Sequence, residues 1–281
     1  MVRILVISCP SSHIYIPGIS SRFCLQGGKR LAQFWVINRR KGAQYIFIAA
    51  IAFCAACLIL LEKPFIAVFT EEDGPSAFSS AETDEREVAL TFNVSWGEEH
   101  VEPILDTLQE KETTAAFFVS GVWAERHTEL LDRMLEEGHD IGNYGFQFKP
   151  YPDRDNEDMR KDMREGHNTI EEATGESPVF FRPPAGIFDT EVLEAAEQMD
   201  YSVIHWGADG KDWQNPGADR IVSNLMESVG PGDVIMLDAS DSAKQTAEAL
   251  PKIIDELHND DYNFTSIEAL MSGAETNYEE L

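Results

Sequence analysis

From residue 88 to 271 the chain alternates short runs rich in β-branched and aromatic residues with longer runs of helical period, and few folds accept that alternation. The β-rich runs lie near residues 88–92, 114–119, 140–144, 179–182, 202–206, 233–237 and 263–266. Between them, residues 100–111 set Ile104, Leu105 and Leu108 on one face, and residues 123–137 do the same with Leu130, Leu131, Met134 and Leu135. Residues 155–174 carry Met159, Met163, His167 and Ile170 at spacings of four, four and three, with Arg160, Lys161 and Arg164 turned to water. Further helical runs cover 189–199, 218–228, 242–257 and 267–271. Seven strands, each followed by a helix, predict an α/β domain on a parallel sheet that right-handed crossovers curl into a closed or nearly closed barrel.

In such a fold the carboxyl ends of the strands converge on one mouth, so a polar residue that ends an apolar strand is set to face a ligand. The first run ends in Asn93, followed by Val94, Ser95, Trp96, Gly97 and an acidic turn, Glu98-Glu99. The third ends in Asn143-Tyr144 and runs on to Phe148, and the fourth ends in Arg182-Pro183-Pro184-Ala185-Gly186. The fifth continues through Trp206 and Asp209 to Asp212 and Trp213, and the sixth ends in Leu237-Asp238. Asp209 and Asp212 read either as a general acid/base couple or as a loop that pairs with Arg182 or Lys211. Trp206 and Trp213 read either as platforms for a sugar ring or as core aromatics. No two of the seven histidines share a metal-ligand spacing, and His205, near a strand end, reads as a core or wall residue.

Residues 1–61 hold seven Lys or Arg and no acid, so the formal net charge of −28 leaves −35 on residues 62–281. Such a surface repels nucleic acid and anionic polymers, which argues against DNA or RNA as a partner. It reads as a coat suited to high salt, where screening relieves self-repulsion, or as a plain acidic domain. Cys9, Cys24, Cys54 and Cys57 all precede the acidic part, which therefore has no disulfide or thiolate; the Cys54/Cys57 pair falls in an apolar run and reads as packing. Residues 43–61 form an uncharged apolar run long enough to cross a bilayer as a helix. Arg39-Arg40-Lys41 before it and acids after it predict a single-pass protein with its amino terminus in the cytoplasm and its domain outside. A cleaved signal peptide is the alternative, but the end of the run offers no small-x-small cleavage pattern. The expected organisation is a basic cytoplasmic leader over 1–42, a transmembrane helix over 43–61, a linker over 62–86, a domain over 87–273 and a tail over 274–281. The first 30 or so residues show no periodicity, and the linker shows no helical or strand period.

Taken in order, the strand-end motifs resemble those of the polysaccharide deacetylases with a NodB-homology domain, over roughly residues 88–271. The Arg-Pro-Pro-x-Gly turn, in its place between the other motifs, is the most specific of them. Thr91-Phe92-Asn93-Val94-Ser95-Trp96-Gly97, the run from Trp123 to His127, the run from Asp212 to Gly217 and the run from Ala239 to Thr246 are similar, more narrowly, to the sporulation branch of PdaB type. A short basic leader before one membrane helix also matches that branch. The resemblance implies a distorted (β/α) barrel with seven strands, which agrees with the count above. It implies metal-dependent N- or O-deacetylation of glycans, in which a divalent metal such as zinc polarises the acetyl carbonyl and a water, a carboxylate takes a proton and a His protonates the leaving group.

Carried over position by position, the resemblance finds much of that machinery substituted. The family's basic Asp corresponds to Asn93 and its metal-binding Asp to Val94; its two metal-binding histidines correspond to Tyr144 and Phe148, and its acidic His to Asp238. No metal ligand set remains, and no cofactor is expected. Arg182, which orients the base in the family, is retained, as are Asp209, Asp212, Trp213 and Leu237. Trp96, Pro183, Pro184, Trp206, Trp213 and Leu237 are the candidate substrate-binding residues. Arg182, left without a base to orient, is expected to contact Asp238 directly or through one water, with Asp212 as the rival partner. The expected function is a membrane-anchored, deacetylase-like sporulation protein that acts on or binds peptidoglycan-type glycan with little or no catalysis. The alternatives are an active deacetylase that uses carboxylates in an altered site, and an acidic partner-binding module of the envelope.

Overall fold

The structure, a computed structural model, describes residues 21–24, 32–35, 75–152, 154–273 and 275–279. The chain divides into two units, residues 1–68 and residues 69–281. In the first, strands β1 (Ser21–Cys24) and β2 (Ala32–Trp35) pair antiparallel with Ser21 opposite Trp35, in a leader whose sequence has no evident period. The expected transmembrane run over 43–61 lies outside the described residues. Among those that are described, no helix is long and apolar enough to cross a membrane.

The second unit is a curled, parallel-strand half-barrel with helices. Its strands are β3 (Ala77–Glu82), β4 (Glu87–Val94), β5 (Ala116–Val119), β6 (Asp140–Asn143), β7 (Phe180–Phe181), β8 (Ser202–Val203), β9 (Ala208–Asp209), β10 (Val234–Asp238), β11 (Asn263–Phe264) and β12 (Glu275–Glu279). The parallel sheet runs β8-β7-β6-β5-β4-β10-β9, with β11 paired to the start of β4. All seven expected strands are present, several of them shortened. β4 is the centre, and seven of its eight residues are buried, because both faces are covered and an apolar run with no alternation is what such a strand needs.

Three features depart from the sequence expectation. The linker contains β3, which pairs antiparallel with β12 in the expected tail and touches the barrel at Phe78 with Ile204 and at Ser80 with Asp233. Ala208–Asp209 forms an additional strand on β10, with Asp209 opposite Met236. The single helix expected over 123–137 is two, Gly121–Ala124 and Thr128–Glu136, broken where His127 turns back to stack on Trp123 at 4.5 Å.

The predicted helical stripes pack as read. Ile104, Leu105, Leu108, Leu131 and Met134 are fully buried within the largest apolar cluster, which also holds the apolar side chains of β4 and β5. The helix Asn156–Thr174 buries Met159, Met163 and Ile170, is capped by Asp155 accepting from the Glu157 amide, and stops at Gly175 in the left-handed region. This packing fixes the strands, and the strands fix the residues at their carboxyl ends.

Candidate functional site

The carboxyl ends of β4, β6, β7, β9 and β10 and the loops that follow them form one mouth. In-register pairing brings Asn93 of β4 beside Asp238 of β10, and Phe181 of β7 beside Asn143 of β6. Arg182 follows directly and is fully buried. Its Nη1 donates to Asn93 Oδ1 and Thr91 Oγ1, both at 3.0 Å, its Nε to the Ile204 carbonyl at 3.1 Å and its Nη2 to the His205 carbonyl at 3.0 Å. The guanidinium lies 4.0 Å from the centre of the Phe118 ring and 5.5 Å from that of Trp206. Burial pushes the group down to about 9, so it remains a cation at neutral pH.

The expected direct contact between Arg182 and Asp238 is therefore not made. Arg182 spends its donors on an amide, a hydroxyl and two carbonyls, while Asp238 Oδ1 accepts the Ser240 amide at 2.7 Å. Asp212, the rival partner, is equally occupied. Its Oδ1 accepts the Trp213 amide at 2.9 Å, and its Oδ2 accepts the Asp238 amide at 2.7 Å and the Thr246 hydroxyl at 2.6 Å. Burial pushes Asp212 up to about 7 and Asp238 up to about 6, and each hydrogen bond from a neighbouring donor pulls the other way. Asp209 accepts the Lys211 amide at 2.6 Å, which makes it a loop-forming residue and not a partner of Arg182.

The positions implied to hold a metal do not fit one. Val94 is fully buried in the strand, and Tyr144 is buried with its ring 4.9 Å from that of Phe148. A phenol and two hydrocarbon side chains are no donor set for a hard or borderline divalent cation. Burial and the charge of Asp238 push the Tyr144 phenol up, while Arg182 pulls it down, so the hydroxyl lies within reach of both charges. Among the described residues, no group of three His, Cys, Asp or Glu is arranged to hold a metal ion.

Of the candidate substrate-binding residues, Trp96 and Trp213 are each 55 % exposed and Trp206 is half-buried, stacked on His205 at 3.9 Å. Phe148 is exposed beside them in kind. Pro183, Pro184 and Leu237 are buried, so they shape the mouth from behind. The loops that carry these groups hold non-glycine residues in the left-handed region: Phe148 at φ 50°, Ala185 at φ 60°, Lys211 at φ 55° and Asn215 at φ 52°. Such conformations persist only where the surroundings enforce them. Gly186, at φ 68°, leaves room for Trp206, since a Cβ there would collide with the indole.

Three residues that build this mouth had no role assigned from the sequence, although Ser240 and Asp241 lie in the Ala239 to Thr246 motif. Asp162, buried on the helix after β6, accepts the Phe146 amide at 2.9 Å, the Gln147 amide at 3.3 Å and the Tyr151 hydroxyl at 3.0 Å, and so holds the loop bearing Phe148. Its position, three after Met159 and four before Gly166, lies on the apolar stripe and was the available signal. Ser240, fully buried, accepts from the Ser95 amide at 2.9 Å and lies 3.1 Å from the Ser95 hydroxyl. Asp241 accepts the Glu99 amide at 2.9 Å and donates its own amide to the Trp96 carbonyl at 3.3 Å, which ties the loop after β10 to the loop after β4. Gly97 makes that approach possible, since a Cβ at its position would meet the Asp241 carboxyl.

Residues 80–204 match the model of the family described as polysaccharide deacetylase. The chain is 30 % identical over 191 residues to a peptidoglycan-N-acetylglucosamine deacetylase of Bacillus cereus, a match that covers 67 % of this chain and 89 % of that relative. It is 31 % identical over 185 residues to a chitooligosaccharide deacetylase of Sinorhizobium fredii, covering 61 % of this chain and 86 % of the relative. Among solved structures it superposes with a TM-score of 0.67, at 26 % identity, on a CE4 family pseudoenzyme from Bacillus anthracis, covering 74 % of this chain and 73 % of that one. A mutant of the same protein, described as having restored enzymatic activity, superposes with a TM-score of 0.67, at 26 % identity, covering 71 % of this chain and 72 % of that one.

Proposed function

The chain belongs to the polysaccharide deacetylase family, and from that premise we propose that it binds peptidoglycan- or chitooligosaccharide-type glycan at the mouth of the half-barrel while the family's hydrolysis is lost. One observation carries this reading. The frame of the mouth is intact, with Arg182 anchored and Trp96 and Trp213 turned to solvent at its rim, while the reacting positions hold Asn93, Val94, Tyr144, Phe148 and Asp238. Exposed tryptophans add nothing to a core and suit the apolar faces of sugar rings. Asn93 has no basic site near neutral pH, and the metal positions lack donors, so the base and the Lewis acid of the implied mechanism are missing together, and the carboxyl of Asp238 stands where the implied acid would be a His. The likeness to a pseudoenzyme whose activity a mutant restores supports the same reading.

The reading extends to an envelope role in sporulation, on the strength of the PdaB-type stretches, and to a high-salt source, on the strength of the −35 charge of residues 62–281. It also takes residues 43–61 as a tether that leaves the domain outside the membrane. Protease added to intact protoplasts should then digest the domain, and protection of residues 62–281 would refute that placement.

The central test is acetate release from acetylated chitooligosaccharide and from peptidoglycan by the purified full chain, beside retention of the chain on purified cell wall. Background turnover with retention is expected. Turnover well above background would establish an active deacetylase instead, and failure on both counts would leave no glycan role.

A further inference from the structure

Resting on the reading that the mouth binds glycan, we propose that its preferred ligand is a de-N-acetylated glycan, in which sugar units carry a free C2 ammonium in place of an acetamide. The mouth presents one carboxyl group, that of Asp238, which accepts a hydrogen bond from the uncharged Ser240 amide; Asp212 behind it is fully buried, with both oxygens taken by the Trp213 and Asp238 amides and the Thr246 hydroxyl. Among the described residues, neither has a Lys or Arg within ion-pair distance. Arg182, a buried cation of the same mouth, is committed to Thr91, Asn93 and the carbonyls of Ile204 and His205. Lys149, Lys211 and Lys244 stand exposed in the surrounding loops and pair with neither carboxylate. Asp238 is half-buried at the end of its strand, so a bound ammonium would meet it where water is partly excluded and the attraction is less screened.

The rest of the mouth rewards an amine and gives an acetamide little. Where the resemblance implies a cation to polarise an acetyl carbonyl, this chain has Val94 and the Tyr144–Phe148 ring pair. An acetyl oxygen meets a phenol and hydrocarbon there and no metal cation. The exposed faces of Trp96, Trp213 and Phe148 can stack on sugar rings of either kind, and their quadrupoles additionally favour an adjacent ammonium. A ligand of this class is the product of N-deacetylation, so an enzyme of that reaction class must act before this protein can bind.

The test is titration calorimetry on the purified full chain in mild detergent at pH 7.5, with the fully de-N-acetylated glucosamine hexamer and the N-acetylglucosamine hexamer as probes. The amine is expected to bind about tenfold or more tightly, the scale of one partly desolvated ion pair. Asp238→Asn keeps an oxygen for the Ser240 amide and should bring the two affinities to within about twofold, chiefly by weakening the amine. Trp213→Ala, at an exposed position, should weaken both. Equal or tighter binding of the acetylated hexamer would overturn the amine preference while leaving the glycan reading in place. A preference that survives in folded Asp238→Asn would assign it to the overall acidic surface and overturn the role of the mouth. Binding of neither hexamer would overturn both this inference and the reading beneath it. The wild-type comparison decides the preference whether or not the variant folds.

Discussion

Arg182 donates through Nη1 to Oδ1 of Asn93 at 3.0 Å, so a guanidinium buried at the centre of the mouth is met by an amide in place of a carboxylate. A buried charge without a countercharge is costly, and here aromatic faces and carbonyl dipoles offset that cost. Two consequences can be measured.

Asn93→Asp creates a buried ion pair at an existing hydrogen-bond distance. Because Arg182 is already desolvated, the added charge should stabilise the domain by about 1–3 kcal/mol at pH 8, read as a higher melting temperature. Acetate release should stay at background, since a base alone has no metal-bound water to act on. Restoring Asp at 93 and 94 and His at 144, 148 and 238 together should be required for turnover, and robust activity from the single change would contradict this account.

Arg182→Ala removes four hydrogen bonds and the ring contact with Phe118 and leaves a cavity. The loss should be about 3–5 kcal/mol, measured by denaturant unfolding. Chevron and calorimetric data that put the loss below about 1 kcal/mol would mean that the guanidinium is not the anchor of the mouth.

Asp238 and Asp212 both titrate higher in the folded chain than in an unfolded one, at about 6 and about 7. The folded state thus holds their protons more tightly. Their contribution to stability is fully present below about pH 4 and is lost as pH rises through 6 to 7, so the domain should become less stable between about pH 4 and 7 and level off above that. Asp238→Asn should remove the lower part of that dependence in melting curves taken across the range. An unchanged slope would place the titration elsewhere.

Asp162→Asn exchanges one of two acceptor oxygens for an NH2 donor, so the side chain can still accept either from the Gln147 N–H or from the Phe146 N–H and Tyr151 hydroxyl, but no longer from all three. A cost of about 1–3 kcal/mol is expected, with faster amide exchange confined to residues 145–151. Uniform acceleration across the domain would show that the loop is not separately held.

Strand positions were legible because β4 and β10 are uninterrupted apolar runs and the helices between them keep a clean stripe. β3 was not, because Ala77-Phe78-Ser79-Ser80-Ala81-Glu82 has no alternation and owes its extended state to partners distant in sequence, Glu275–Glu279 and the bridges at Ile204 and Asp233. The mouth divides in the same way. Asn93, Arg182, Asp212 and Asp238 sit at strand ends or in the loops beside them and could be read from patterning together with the family likeness. Pairings made through main-chain groups could not, since the carbonyls of Ile204 and His205 and the amide of Asp238 carry no residue-specific signal. The run from Ala239 to Thr246 was legible as a motif, but not what its Ser240 and Thr246 hydroxyls bond to, since that depends on what lies opposite.

The interlocked loops after β4 and β10 bear on kinetics. Asp241 grips the Glu99 and Trp96 backbone, and Ser240 receives Ser95, so the rim that carries Trp96 has no freedom to swing independently of the sheet. A glycan arriving at that side meets a surface already formed, with no ordering step to await. On the proposed glycan reading, association there is expected to be governed by encounter and orientation, and differences in affinity between sugars by how fast each one leaves.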